Sequence, residues 1–207
     1  NQACNFKCMY CSPHLSTSWQ EEIDKHGPYQ LETFAHNDIP SLEKRGMMPL
    51  RVANRDNPYV DAFWKWWPEL YSNLHTLRLT GGEPLLSKDV WRMLDEIENN
   101  PKSDLVLAIN TNLCVDKDLI NKLINKVNNI QKNIKEIQLF TSGEGTSEQA
   151  EYIRYGLNYT EWQQNLENLL DNTNCIVAVM TTVNLTNVNT YCDFIRYLLD
   201  LRGRYNK

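Results

Sequence analysis

The 207 residues are the length of one domain with enough chain to bury a continuous core. With 42% apolar and 23% charged residues the composition is that of a folded soluble protein, which argues against disordered, collagen-like or coiled-coil architectures. A net charge of -5 and a pI near 5.4 lack the basic excess of a nucleic-acid footprint, and the apolar runs are far shorter than the roughly 20 residues of a membrane span, so neither nucleic acid nor membrane is expected as a partner.

The chain opens with "NQACNFKCMYCSPH", which places Cys4, Cys8 and Cys11 at Cys-x3-Cys-x2-Cys spacing. Closely spaced thiolates on one tight loop reach three corners of a cubane iron-sulfur cluster and leave one iron without a protein ligand. His14 offers a competing reading, because it completes a possible Cys3His set for structural zinc. The other cysteines, Cys114, Cys175 and Cys192, lie alone in apolar or helical surroundings. Crowding without even pairing favours metal binding in a reducing, cytoplasmic setting over a disulfide framework. Because the chain begins at Asn1 and the motif at Cys4, it reads as a segment of something longer, with a first strand before the cysteine loop and a last strand both outside it.

Residues 12-73 hold Trp19, Trp64, Trp66 and Trp67 together with Pro28, Pro40, Pro49, Pro58 and Pro68, too aromatic a stretch for a linker. "NPYVDAFWKWWPELYSNL" reads as a helix packing on a sheet, and 12-57 as a long insertion, either an irregular packed excursion or a lid over the site.

From Leu74 to Lys207 strands and helices alternate. "LHTLRLT" (74-80) is a strand that turns at Gly81 and Gly82, and Ser87 caps a helix with Val90, Trp91, Leu94 and Ile97 at helical spacing. "DLVLAINT" (104-111) is a strand, and Asp116 caps a helix striped by Leu119, Ile120, Leu123, Ile124, Val127 and Ile130. "IKEIQLFTS" (134-142) is the third strand. A helix from Ser147 breaks near Gly156 and restarts at Thr160, which has capping-box spacing to Gln163. "CIVAVMTTV" (175-183) is the fourth strand, followed by a helix carrying Tyr191, Phe194, Ile195, Leu198 and Leu199. This rhythm predicts an α/β fold with a parallel sheet, its Leu, Ile and Val content implying burial on both faces. Such sheets bind ligands where the loops after the strands converge, here "TGGEP", "NTNLC", "TSGEG" and "VNLTN". In the first of these, glycines admit close backbone approach, and Glu83 offers an acceptor for an amino group.

Three cysteines followed one strand-and-helix unit later by Gly81, Gly82, Glu83 and Pro84 resemble the radical S-adenosylmethionine (SAM) enzymes, whose signature is Cys-x3-Cys-x2-aromatic-Cys with a GGEP-like segment; Tyr10 takes the aromatic place. The resemblance covers most of the chain. It implies a partial (β/α)6 TIM-like barrel of parallel strands, incomplete at both ends, forming one core domain over 1-207, with 1-14 as the cluster loop, 12-73 as insertion and helix, and 74-207 as the repeating units. It implies a [4Fe-4S] cluster on Cys4, Cys8 and Cys11, SAM on the open iron, and a reductant such as flavodoxin or ferredoxin. Reductive cleavage of SAM would give a 5'-deoxyadenosyl radical that abstracts a substrate hydrogen. Glu83, Gly81 and Gly82 would hold the amino group of SAM, with Pro84 closing the segment, and Arg154 its carboxylate. "TSGEG" followed by "AEYIRYG" resembles the members that modify peptides and proteins, where a serine and an arginine twelve residues apart, here Ser142 and Arg154, contact SAM. Glu144 would serve the ribose and Asn184 the adenine, and Thr111 and Asn112 stand in a Thr-Asn-Gly-like turn with Leu113 in the place of Gly. A peptide or protein substrate is therefore expected, with a small molecule or nucleoside as the alternative. Relatives of this peptide-modifying type often add a SPASM or twitch extension with auxiliary clusters, which here would either lie beyond Lys207 or be absent.

Overall fold

The computed structural model describes residues 3-28, 38-48 and 58-205. In chain order these form β1 (Lys7–Cys8), α1 (Thr17–His26), α2 (Ile39–Lys44), α3 (Pro58–Asn73), β2 (Thr76–Leu79), a 3-10 turn (Pro84–Leu86), α4 (Lys88–Asn99), β3 (Val106–Thr111), α5 (Lys117–Ile130), β4 (Glu136–Ser142), α6 (Ser147–Ile153), β5 (Arg154–Tyr155), α7 (Tyr159–Asn172), β6 (Ile176–Met180) and α8 (Tyr191–Tyr205). Strands β2, β3, β4 and β6 lie side by side in that order, all parallel. The fold is α/β, an arc of a TIM-like barrel. A separate two-stranded ribbon pairs β1 with β5 in antiparallel fashion.

Register explains which residues face the helices. Leu79, Ile109, Leu139 and Val177 align across the sheet, and Leu107 and Ile137 align below them. Leu107 and Ile109 are fully buried, and Ile120, Leu123, Leu94, Ile97, Trp162 and Leu166 from α4, α5 and α7 join them in one core. The opposite face carries Arg78, Gln138, Asn110 and Phe140 and is only partly buried. Burial on both faces, expected from the strand composition, therefore does not hold among the described residues: polar side chains alternate with leucines, as they do across a half-covered sheet.

The helix ends follow local chemistry with one correction. Asp116 accepts the N-H of Asp118 at 2.8 Å and caps α5. Ser87 occupies the N-cap position of α4 without a side-chain capping bond. The helix expected to restart at Thr160 begins at Tyr159, and its cap is Asn158, whose Oδ1 accepts the N-H of Glu161 at 3.0 Å. Asn-x-x-Glu two residues earlier provides the same reciprocal spacing as Thr160 and Gln163 and comes first after the Gly156 break. On α8, Leu199 is exposed and Leu201 takes its place in the core.

Helix α3 matches the aromatic segment. It packs on α4 beside β2, with Trp67 stacked on Tyr71 and the Arg92 guanidinium 3.8 Å over the ring of Trp64. The expected lid in 12-57 falls partly on residues outside those described; the described α1 lies against the cysteine loop.

Gly143, at the end of β4, leaves room for two aromatic rings. A Cβ there would meet Phe194 at 2.8 Å and Trp162 at 3.1 Å. Gly143→Ala is expected to lower stability by about 1–3 kcal/mol, measured by urea unfolding, and Phe194→Leu in the same chain is expected to recover part of that loss.

Candidate functional site

The cysteine loop is fixed from three sides. In the ribbon Cys8 stands opposite Arg154 and Lys7 opposite Tyr155, and the N-H of Met9 donates to the Ile153 carbonyl at 2.9 Å. Helix α1 and its N-cap Ser16 satisfy the loop's carbonyls: Ser18 Oγ donates to Cys4 O at 2.6 Å, Ser16 Oγ to Phe6 O at 2.8 Å, and Trp19 Nε1 to Cys8 O at 3.0 Å. The sheet end supplies the third side, where Glu83 N donates to Ala3 O at 2.6 Å and Asn5 bridges Cys114 and Asn112. Gly156, at φ 106°, allows this approach, because a Cβ there would lie 2.8 Å from Asn5 O.

Cys4, Cys8 and Cys11 all line one cavity of about 640 Å³ together with Tyr10, Gly81, Gly82, Asn112, Ser142 and Arg154. The volume is in the range of small-molecule and cofactor sites, roughly 300–1,000 Å³. Three loops that are distant in sequence thus meet above the carboxyl ends of β2, β3 and β4. Asn110, Thr111, Thr80, Met180 and Thr182 also line the wall. Of these, only Thr111 stands out in the sequence; the others were findable from their position at strand ends, since each sits on the last turn of the pleat or just past it.

The remaining expected site residues fall in two groups. Glu83 is fully buried: its Oε1 accepts Leu85 N at 2.9 Å and its Oε2 accepts Asn112 N at 2.6 Å, tying the turn after β2 to the end of β3. Burial pushes its carboxyl above the ordinary value against these hydrogen bonds. Pro84 is buried at the first position of the 3-10 turn. Glu144 is 1% exposed and takes a two-pronged bond from Arg154, Nε to Oε1 and Nη2 to Oε2, each 2.8 Å, while Tyr10 OH donates to Oε1 at 2.6 Å. Asn184 is not on the wall; its side chain donates to Thr182 O at 3.1 Å and accepts Thr186 N at 2.9 Å, shaping the loop after β6. Leu113 adopts φ 57°, the left-handed conformation for which glycine is the ordinary choice, and it is fully buried with its carbonyl held by Asn165 Nδ2 at 2.7 Å.

The thiols suit an iron-sulfur cluster. All three are free, Phe6 N points at Cys4 Sγ at 3.5 Å, and Arg154 Nη1 at Cys8 Sγ at 3.6 Å. Among the described residues no three His, Cys, Asp or Glu side chains close on a single point, which a mononuclear ion with ligands about 2.0–2.3 Å away requires. A cluster that takes one thiolate per iron has no such requirement. His14, the candidate fourth zinc ligand, lies 2.5 Å from Ser12 Oγ through Nδ1 and is not part of the cavity wall. Burial pushes the Cys8 thiol up to about 12 and raises Cys4 and Cys11, so metal entry releases protons from this loop.

The chain is similar to proteins named GTP 3',8-cyclase. It is 28% identical over 124 residues to that of Campylobacter jejuni subsp. doylei, covering 60% of this chain and 29% of the relative. Against the Campylobacter lari protein it is 27% identical over 139 residues, 65% of this chain and 33% of the relative, and against the Nautilia profundicola protein 29% identical over 120 residues, 58% and 28%. The chain thus spans about a third or less of the length of these relatives. The similarity supports the radical SAM resemblance of the cysteine and GGEP motifs. No family model and no solved structure matches the chain.

Because both oxygens of Glu83 accept backbone N-H groups, an amide cannot replace it. Glu83→Gln turns an NH2 toward a buried donor and is expected to cost about 1–3 kcal/mol, read as a lower urea midpoint with unchanged slope.

Proposed function

We propose that the chain is the core of a radical SAM enzyme that acts on a small molecule of the nucleotide class. The observation that carries the reading is the meeting of Cys4, Cys8 and Cys11 with Gly81, Gly82 and Ser142 around one cavity. Bound there, a [4Fe-4S] cluster and SAM supply a 5'-deoxyadenosyl radical for hydrogen abstraction. The chain's own part is to hold these groups. Cys4, Cys8 and Cys11 would hold the cluster. The backbone of Gly81 and Gly82 and the hydroxyl of Ser142, with Asn110 and Asn112 beside them on the wall, would hold the polar groups of SAM. Glu83 acts from below by fixing Asn112 and the turn. Phe6, Tyr10 and Leu15 add apolar surface on the cysteine side of the cavity, Phe6 buried and the other two exposed.

The relatives' name favours the nucleotide over the peptide or protein substrate expected from the "TSGEG" segment and Arg154. A SPASM or twitch extension gains no support from these relatives. The electron donor is an external reductant such as flavodoxin or ferredoxin, and a reducing cytoplasm is the setting such a cluster needs. No helix among the described residues is long and apolar enough to cross a membrane.

Anaerobic reconstitution with iron and sulfide tests the reading. A brown protein with about four irons is expected, releasing 5'-deoxyadenosine from SAM on reduction with dithionite, and Cys4→Ala, Cys8→Ala and Cys11→Ala should each abolish both. Addition of GTP is expected to raise 5'-deoxyadenosine formation several-fold over a guanosine control. Zinc bound at one equivalent with no 5'-deoxyadenosine would overturn the enzyme reading; a cluster-dependent release that ignores GTP would overturn only the nucleotide class.

A further inference from the structure

The contact between Arg154 and Cys8 reaches beyond cofactor holding. Arg154 is 8% exposed, and the side of its guanidinium formed by Nε and Nη2 is filled by both oxygens of Glu144. That side cannot also grip a ligand carboxylate. The remaining terminal nitrogen, Nη1, points at Cys8 Sγ at 3.6 Å, within reach of an N-H···S hydrogen bond. Tyr10, in the aromatic position of the cysteine motif, donates to Glu144 at 2.6 Å and lies under the guanidinium, whose carbon is 5.3 Å from the ring centroid. The backbone enforces the same pairing, since Cys8 and Arg154 stand opposite each other in the ribbon.

We propose that Arg154, aimed by Glu144 and Tyr10, is a positioning residue that sets the reduction potential of the cluster through its hydrogen bond to the Cys8 sulfur. The inference rests on the cluster assignment made above. When the cluster takes up one electron from a donor, its total charge becomes one unit more negative, and the added density spreads onto its thiolate sulfurs. A cationic N-H donor at one sulfur stabilises that reduced form more than the oxidised one and raises the potential. In a buried site the effect is weakly screened. Glu144 has two effects: its charge offsets part of the guanidinium's field, and its two oxygens fix the direction of Nη1.

The test is an electron paramagnetic resonance redox titration of the reconstituted protein without SAM, with dithionite as the one-electron donor, alongside iron and sulfide counts. Arg154→Met is expected to shift the midpoint to a more negative value with the iron count retained. Glu144→Gln is expected to shift it the other way, because the guanidinium then keeps an uncompensated charge beside Cys8. Arg154→Lys keeps the charge but not the fork, and an intermediate midpoint is expected. Should Arg154→Met fail to hold its cluster, the opposite shift of Glu144→Gln remains the deciding reading. Unchanged midpoints in variants with full iron content, or shifts that emerge only when SAM is added, would overturn the proposal while leaving the enzyme reading intact. Absence of a four-iron cluster in the unaltered protein overturns both, and is told apart by the iron count alone.

Discussion

A buried ion pair governs the arrangement of this molecule. Arg154 and Glu144 are 8% and 1% exposed, and taking both charges out of water is costly unless geometry and further hydrogen bonds compensate. Here the compensation is spread over the site: the fork between the two side chains, the Tyr10 hydroxyl, and the Cys8 sulfur. Each partner of the pair belongs to a different piece of chain. Glu144 follows the last residue of β4 by two positions, Arg154 opens the short strand β5, and Tyr10 and Cys8 belong to the cysteine loop. Leaving one charge unpaired in such a place costs about 3–5 kcal/mol, so the loop that carries the thiols is locked to the end of β4 by an interaction that tolerates little drift.

That lock explains why a two-residue strand persists. An isolated pair of two-residue strands is marginal in water, and β1 with β5 holds because its register places Cys8 opposite Arg154 where the ion pair already fixes both. Helix α1 and its N-cap Ser16 then close the other side by donating to the carbonyls of Cys4, Phe6 and Cys8, groups that the tight loop cannot satisfy internally. The insertion that looks like excess sequence before the first repeating unit is in this part a brace for the thiols.

The parts of the fold legible in the sequence are those set by local periodicity. The four parallel strands and α4, α5 and α7 follow from runs such as Leu105 to Ile109 and from the stripe of Ile120, Leu123, Ile124 and Val127, because burial at fixed spacing leaves one solution. The cysteine triad and the two glycines were legible because few chemistries want that spacing. What local pattern cannot carry is partner choice. Arg154 and Glu144 were readable as site residues, but nothing in ten residues of separation says that each would use its charge on the other. Glu83 is the same case: a carboxylate after a strand reads as a ligand, and while Leu85 N is a local partner, Asn112 N becomes a neighbour only when β2 and β3 pair. Asn158 rather than Thr160 caps α7 because it comes first after the Gly156 break and its Oδ1 accepts the N-H of Glu161.

Glu83 and Arg154 also divide the labour of the cavity in a way that bears on its chemistry. Both are ionisable, both are buried, and both are engaged by protein partners. Arg154 and the thiols apart, the polar groups on the cavity wall are small and uncharged, among them the Ser142 hydroxyl, the Asn110 and Asn112 amides and the Gly81 and Gly82 backbone. A site that generates a reactive species gains from such an arrangement, since fixed dipoles can orient a cofactor without mobile charged side chains or the water they hold. The charged residues then act at one remove: Glu83 sets the spacing between two strand ends, and Arg154 sets both the place and the electrostatic surroundings of one sulfur. Rigidity in the supporting pairs is what lets the weaker groups on the wall keep their aim.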